Sequence, residues 1–173
     1  MMTNEELQSL QKRVQRLEAI EAIKQLKARY LSACDSKQLT LIRDCFAEGE
    51  IDIDYGAVGC FRHRDELLAL FDNVGNHQHM VEMHHGQNPR ITLLDEEQAE
   101  GEWGLYYFLI NSEENTLTQL GGVYADRYRL IDGQWRITAS QFTPTSTLVS
   151  QLEQGQAEIM VAGRPPQSVT QEA

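Results

Sequence analysis

Four of the five histidines, His77, His79, His84 and His85, lie between positions 77 and 85. Imidazole can serve there as a metal ligand or as a general base near neutral pH. Successive side chains of a strand alternate faces, so His84 and His85 point opposite ways and cannot share one ion. His77 and His79 can, but beyond Glu82 no Cys, Asp or Glu stands at a supporting spacing, so no metal site is expected. Alternation puts Gly86 and Asn88 on the face of His84, and His85, Gln87 and Pro89 on the other. A glycine beside His84 leaves room for a ligand, and Asn88 can hydrogen-bond a ligand carbonyl or orient the imidazole. His84 is therefore the candidate base, with a satisfied structural histidine as the alternative.

A base of this kind needs an orienting carboxylate and a donor for developing negative charge. Asp35 stands where a helical pattern ends, and it can either cap that turn or fix the tautomer of His84. Tyr30 lies one turn earlier on the apolar stripe, its ring core-facing and its hydroxyl in need of a partner. Trp103 and Tyr107 share one face of their strand. With Tyr55, Phe46 and Asn88 they make up the candidate pocket lining.

The elements that must position these residues follow from periodicity. Thr3 and Glu6 have capping-box spacing. Leu7, Leu10, Val14 and Leu17 follow at 3-4-3 spacing, and Ile20, Ile23, Leu26 and Tyr30 carry the stripe onward. With no Gly or Pro over 4–33, one long helix or two joined near 18–21 is expected. Its first four turns also suit a coiled-coil arm used in dimerisation. A second helix is expected over 40–46, a strand over 50–55, a Gly56/Gly59 turn and a third helix over 64–71. From His79 the period changes to strands near 79–94, 98–111, 116–131 and 134–148. Asp132-Gly133 marks a hairpin and Gly121-Gly122 a bulge. The fold class is α+β: a curved, cone-shaped antiparallel (mixed) sheet packed on three N-terminal helices and enclosing a pocket. One domain spans 1–150, and 151–173 is expected to be a loosely ordered tail.

A formal net charge of −11 disfavours nucleic acid as a partner, since phosphate binding runs on Lys and Arg. Cys34, Cys45 and Cys60 form no CxxC, which fits free thiols in a reducing compartment. The polar N-terminus is unlike a signal peptide, and no apolar run is long enough to span a membrane. A cytoplasmic location is expected.

Three stretches resemble the SnoaL-like branch of the nuclear transport factor 2-like superfamily over roughly residues 12 to 150. They are Ile23–Asp35, Met83–Ile91 and Gly121–Ile137. The first two coincide with catalytic positions of bile-acid 7α-dehydratase, scytalone dehydratase and hexachlorocyclohexane dehydrochlorinase, which eliminate with a His–Asp pair and no metal or organic cofactor. The resemblance implies that His84 abstracts a substrate proton, Asp35 orients and charge-stabilises it, and Tyr30 is the acid or oxyanion donor. The dehydrochlorinase differs in having a lysine at the place of Tyr30 and an arginine at that of Ser140. Many dehydratase-like members keep an Asp where this chain has Tyr107. The implied function is a cofactor-independent lyase or isomerase acting on a hydrophobic cyclic small molecule, in a homodimer or homotrimer. The alternative is a non-catalytic ligand-binding or scaffold module of the same fold.

Overall fold

A computed structural model describes residues 2–153 and 156–163. Helix α1 runs unbroken from Asn4 to Asp35. Thr3 opens it, its hydroxyl accepting from the Glu6 N–H at 3.2 Å while the Glu6 carboxylate accepts from the Thr3 N–H at 2.8 Å. Its end is a Schellman closure, with Gln38 N–H donating to the Ala33 carbonyl and Lys37 N–H to that of Cys34. Lys37 takes the left-handed conformation (φ 58°) that usually falls to glycine.

Helix α2 (Leu39–Cys45) and helix α3 (Arg64–Val74) flank strands β1 (Glu50–Asp54) and β2 (Cys60–His63). The sequence showed only a turn before α3, because four residues offer too little alternation to reveal β2. The remaining strands are β3 (Met80–Leu93), β4 (Gln98–Asn111), β5 (Thr116–Ile131), β6 (Gln134–Glu153) and β7 (Gln156–Gly163). Strand β7 stands where a loose tail was expected; residues 164–173 lie outside the described residues.

The sheet runs β2-β1-β6-β5-β4-β3, antiparallel except where β1 lies parallel to β6. The C-terminal half of β6 pairs with β7. The hairpin at Asp132-Gly133 has positive φ at both residues, and the ladder shifts register between Gly121 and Gly122. A Cβ on Gly122 would stand 2.3 Å from the Phe142 ring and 2.8 Å from the Thr143 carbonyl, so only glycine lets β6 lie this close to β5 at the register shift.

Ile23, Leu26, Tyr30 and Leu31 of α1 are buried against the inner face of the sheet, where Trp103, Leu105, Tyr124, Tyr128 and Ile137 meet them. This docking lays the end of α1 beside edge strand β3. At Gly86 the two come so close that a Cβ would stand 2.8 Å from a Leu31 methyl group. The space at Gly86 therefore admits the helix, not the ligand that the alternation suggested.

Candidate active site

Strand β3 is a sheet edge, so every second N–H on it lacks a strand partner. At His84 that donor goes to Asp35, whose two carboxylate oxygens lie 3.0 and 3.1 Å from it. The same carboxylate meets the His84 Nδ1 at 2.6 Å. A carboxylate only accepts, so Nδ1 carries the proton and Nε2 is left as the basic nitrogen. Two bonds to one side chain fix both the strand and the ring. The sequence could propose this meeting, but it joins positions 49 apart.

His84 lines an apolar cavity of about 320 Å³, within the range of small-ligand pockets. Tyr30, Tyr55, Tyr107 and Tyr124 line it as well, with Phe142 on the sheet side and Phe71 from α3. The hydroxyls of Tyr30 and Tyr55 are 3.0 Å apart. Burial pushes Tyr30, Tyr55 and Tyr124 above the ordinary tyrosine range, so their hydroxyls stay protonated. Burial likewise raises the Cys34 thiol, which argues against a thiolate nucleophile in this wall.

The Tyr107 ring packs 4.6 Å from that of His84. Its hydroxyl donates to the Glu82 carboxylate at 2.8 Å, and Glu82 also pairs with Lys37. Burial first, then the neighbouring Glu82, push the Tyr107 hydroxyl upward. Glu82 was not among the sequence candidates. Its signal was its place two residues before His84, hence on the same face of β3.

Three of the expected lining residues lie elsewhere. The register of β3 against β4 shifts between Gln87 and Arg90, and Asn88 sits in this bulge with φ 50°, exposed and away from the cavity. Strict alternation cannot run through a bulge. Phe46 is buried behind the cavity wall, edge-on to Tyr30 at 5.3 Å. Trp103 is buried too, but it faces the groove between α1 and β3, and its indole N–H donates to the Tyr128 hydroxyl at 2.8 Å. His85 is exposed, as alternation required. His77 and His79 stack on each other with ring centroids 5.2 Å apart. They bond the Asn73 carbonyl and approach Glu113.

Beneath the cavity lies a polar group that the sequence did not reveal. The Lys27 ammonium, 1% exposed, meets Asp126 at 2.7 Å and sits 3.6 Å from the centre of the Tyr124 ring. Asp126 also accepts from Ser140 and Tyr128, each at 2.6 Å. Burial lowers the Lys27 ammonium from its ordinary range, opposed by Asp126. Opposite charges at two core-facing positions, Lys27 on the stripe of α1 and Asp126 between Tyr124 and Tyr128, were the available signal.

Residues 15–141 match the SnoaL-like domain family, and the chain belongs to it. Among solved structures it is similar to a Novosphingobium aromaticivorans protein provisionally named a scytalone dehydratase. That match has 20% identity and a TM-score of 0.71, covering 87% of this chain and 95% of the other. It is also similar to hexachlorocyclohexane dehydrochlorinase LinA-type3 of Novosphingobium barchaimii (18%, 0.68, 88% and 99%). A nuclear transport factor 2-like protein of N. aromaticivorans gives 19%, 0.68, 82% and 90%. At these identities the likeness is one of fold. Among the described residues no helix is long and apolar enough to cross a membrane.

Proposed function

We propose that the chain is a dehydratase-like lyase that removes water from a hydrophobic cyclic hydroxy compound, with His84 as base. The observation that carries this reading is the Asp35–His84 grip at 2.6 Å on the wall of an aromatic cavity. His84 Nε2 takes a proton from the carbon next to a substrate carbonyl. The C–H electron pair passes into an enolate, which collapses to form the new double bond as the C–O bond to the leaving hydroxyl breaks. The imidazolium then returns its proton to that hydroxyl, so water leaves and the atoms balance without a co-reactant. Asp35 holds the imidazolium as it forms. Tyr30, kept protonated by burial, acts as a hydrogen-bond donor to the developing enolate and not as a source of protons. Isomerisation is the same first step with the proton returned to carbon.

The cavity's lining favours an apolar ring system. The test is turnover of a panel of cyclic β-hydroxy ketones, read by mass spectrometry as loss of one water, with thermal shift reporting binding. His84→Ala should abolish turnover and leave the melting temperature and ligand-induced shift nearly intact. Turnover surviving in that variant would make His84 structural. Binding by the wild type without turnover of any panel member would favour the ligand-binding module instead.

A further inference from the structure

Among the described residues, the first four turns of α1 pack on nothing. Every residue from Met2 to Glu18 is exposed, among them Leu7, Leu10, Val14 and Leu17 at 54, 45, 44 and 67%. A helical run of this length is marginal in water, and most helical stability comes from packing an apolar face. These four residues form such a face, and it does not serve the chain's own core. From Leu17 the apolar residues step by three, through Ile20 and Ile23 to Leu26. Each three-residue step falls about 60° short of a full turn, so the apolar face swings by about half a turn before it meets the sheet. The Leu7–Leu17 seam therefore points away from the body that Ile23, Leu26 and Tyr30 hold.

We infer that this seam pairs with the same seam of a second copy as a short parallel coiled coil. Leu7 and Val14 take the a positions and Leu10 and Leu17 the d positions, and the β-branched Val14 at a, followed by Leu17 at d, is the combination that favours two parallel strands. Charge fixes the direction. In parallel register Arg13 at g faces Glu18 of the second copy at e, twice by symmetry, and Glu6 faces Gln11. An antiparallel pair matching Leu7 with Leu17 would be centred on Lys12 and would crowd the two Arg13 side chains together. The seam closes after two heptads, because the next a and d positions are Glu21 and Lys24, which bridge each other within the helix at 3.5 Å. Since each body hangs from the face opposite the seam, the two bodies flank the paired arms without competing for space. This reading is independent of the proposed chemistry.

Analytical ultracentrifugation of the full chain over a range of concentrations tests it. The wild type should sediment at twice the 19.7 kDa of one chain. Arg13→Glu and Glu18→Arg should each weaken the dimer at least about tenfold, by setting like charges face to face. The double variant R13E/E18R should restore it. Leu10→Glu should give monomer, with the circular dichroism of the sheet unchanged because Leu10 is exposed. A monomeric wild type, a trimer, a dimer indifferent to these substitutions, or a double variant that fails to recover would each overturn the inference.

Discussion

Glu82 accepts a hydrogen bond from the Tyr107 hydroxyl at 2.8 Å, and because a carboxylate cannot donate, that bond has a single polarity. The Tyr107 oxygen is left with lone pairs to offer the cavity, one ring away from His84. A ligand group resting on it must therefore be a donor, such as a hydroxyl, and not a carbonyl. Replacing Tyr107 with Phe should weaken a hydroxyl-bearing cyclic ligand by about tenfold in Kd, the worth of one hydrogen bond of about 1.4 kcal/mol. Its ketone counterpart should bind as before. Calorimetric titration of the matched pair checks this, and equal losses for both would refute the assigned polarity.

Asp35→Asn keeps the shape of the side chain but removes the charge that demands a proton on Nδ1. By analogy with triads in which the tautomer is lost, kcat should fall by about 10³- to 10⁴-fold with little change in KM. Nitrogen NMR of the His84 ring should show the proton shared with Nε2 in the variant. A wild-type kcat in Asp35→Asn would mean that Asp35 only holds the strand.

The proposal of His84 with Asp35 was legible because both residues lie in simple surroundings, one at a helix end and the other in a regular stretch of strand. The strand limits from 79 to 131 were legible for the same reason, since turn residues interrupt a clear alternation. Asn88 was misplaced because a bulge adds one residue locally, and no alternation rule counts it. The rotation of the α1 stripe was present in the spacing, in the run of three-residue steps from Leu17 to Leu26. Lys27 and Asp126 remained hidden because their pairing spans 99 positions, and a charged residue on a core-facing stripe does not name its partner.

Lys27→Met should be among the most destabilising single changes in the chain, because it leaves the Asp126 charge buried without its cation. The expected loss is about 3–5 kcal/mol by chemical denaturation. Adding Asp126→Asn to that variant should recover part of the loss, since the unpaired charge is then removed. No recovery in the double variant would mean that packing of the lysine stem, rather than the ion pair, carries the effect.

Alkaline pH should unfold the protein cooperatively. Tyr30, Tyr55, Tyr124 and Tyr128 all have folded-state values raised by burial. Their contribution to stability is complete below the unfolded-state value of 10.0 and is lost as pH climbs above it. Each adds a slope approaching about 1.4 kcal/mol per pH unit in that window. Tyrosinate absorbance and far-ultraviolet dichroism should therefore change together. Four tyrosines ionising while the dichroism holds steady would contradict their burial.

Lys37 holds a left-handed backbone conformation while its side chain secures Glu82. Lys37→Gly and Lys37→Met both remove the ion pair, but only glycine relieves the backbone. Lys37→Gly should be the more stable of the two by about 1 kcal/mol, measured by urea denaturation.

Gly122 gives the site a vulnerability out of proportion to its chemistry. Phe142 reaches the cavity only because its ring crosses the bare backbone at Gly122, where even a methyl group would strike both that ring and the Thr143 carbonyl. In a survey of tolerated replacements, this residue without a side chain should be as unforgiving as His84. A change of ligand would more readily arise at walls such as those that α3 and the β4 side chains supply than where β5 and β6 pair at Gly122.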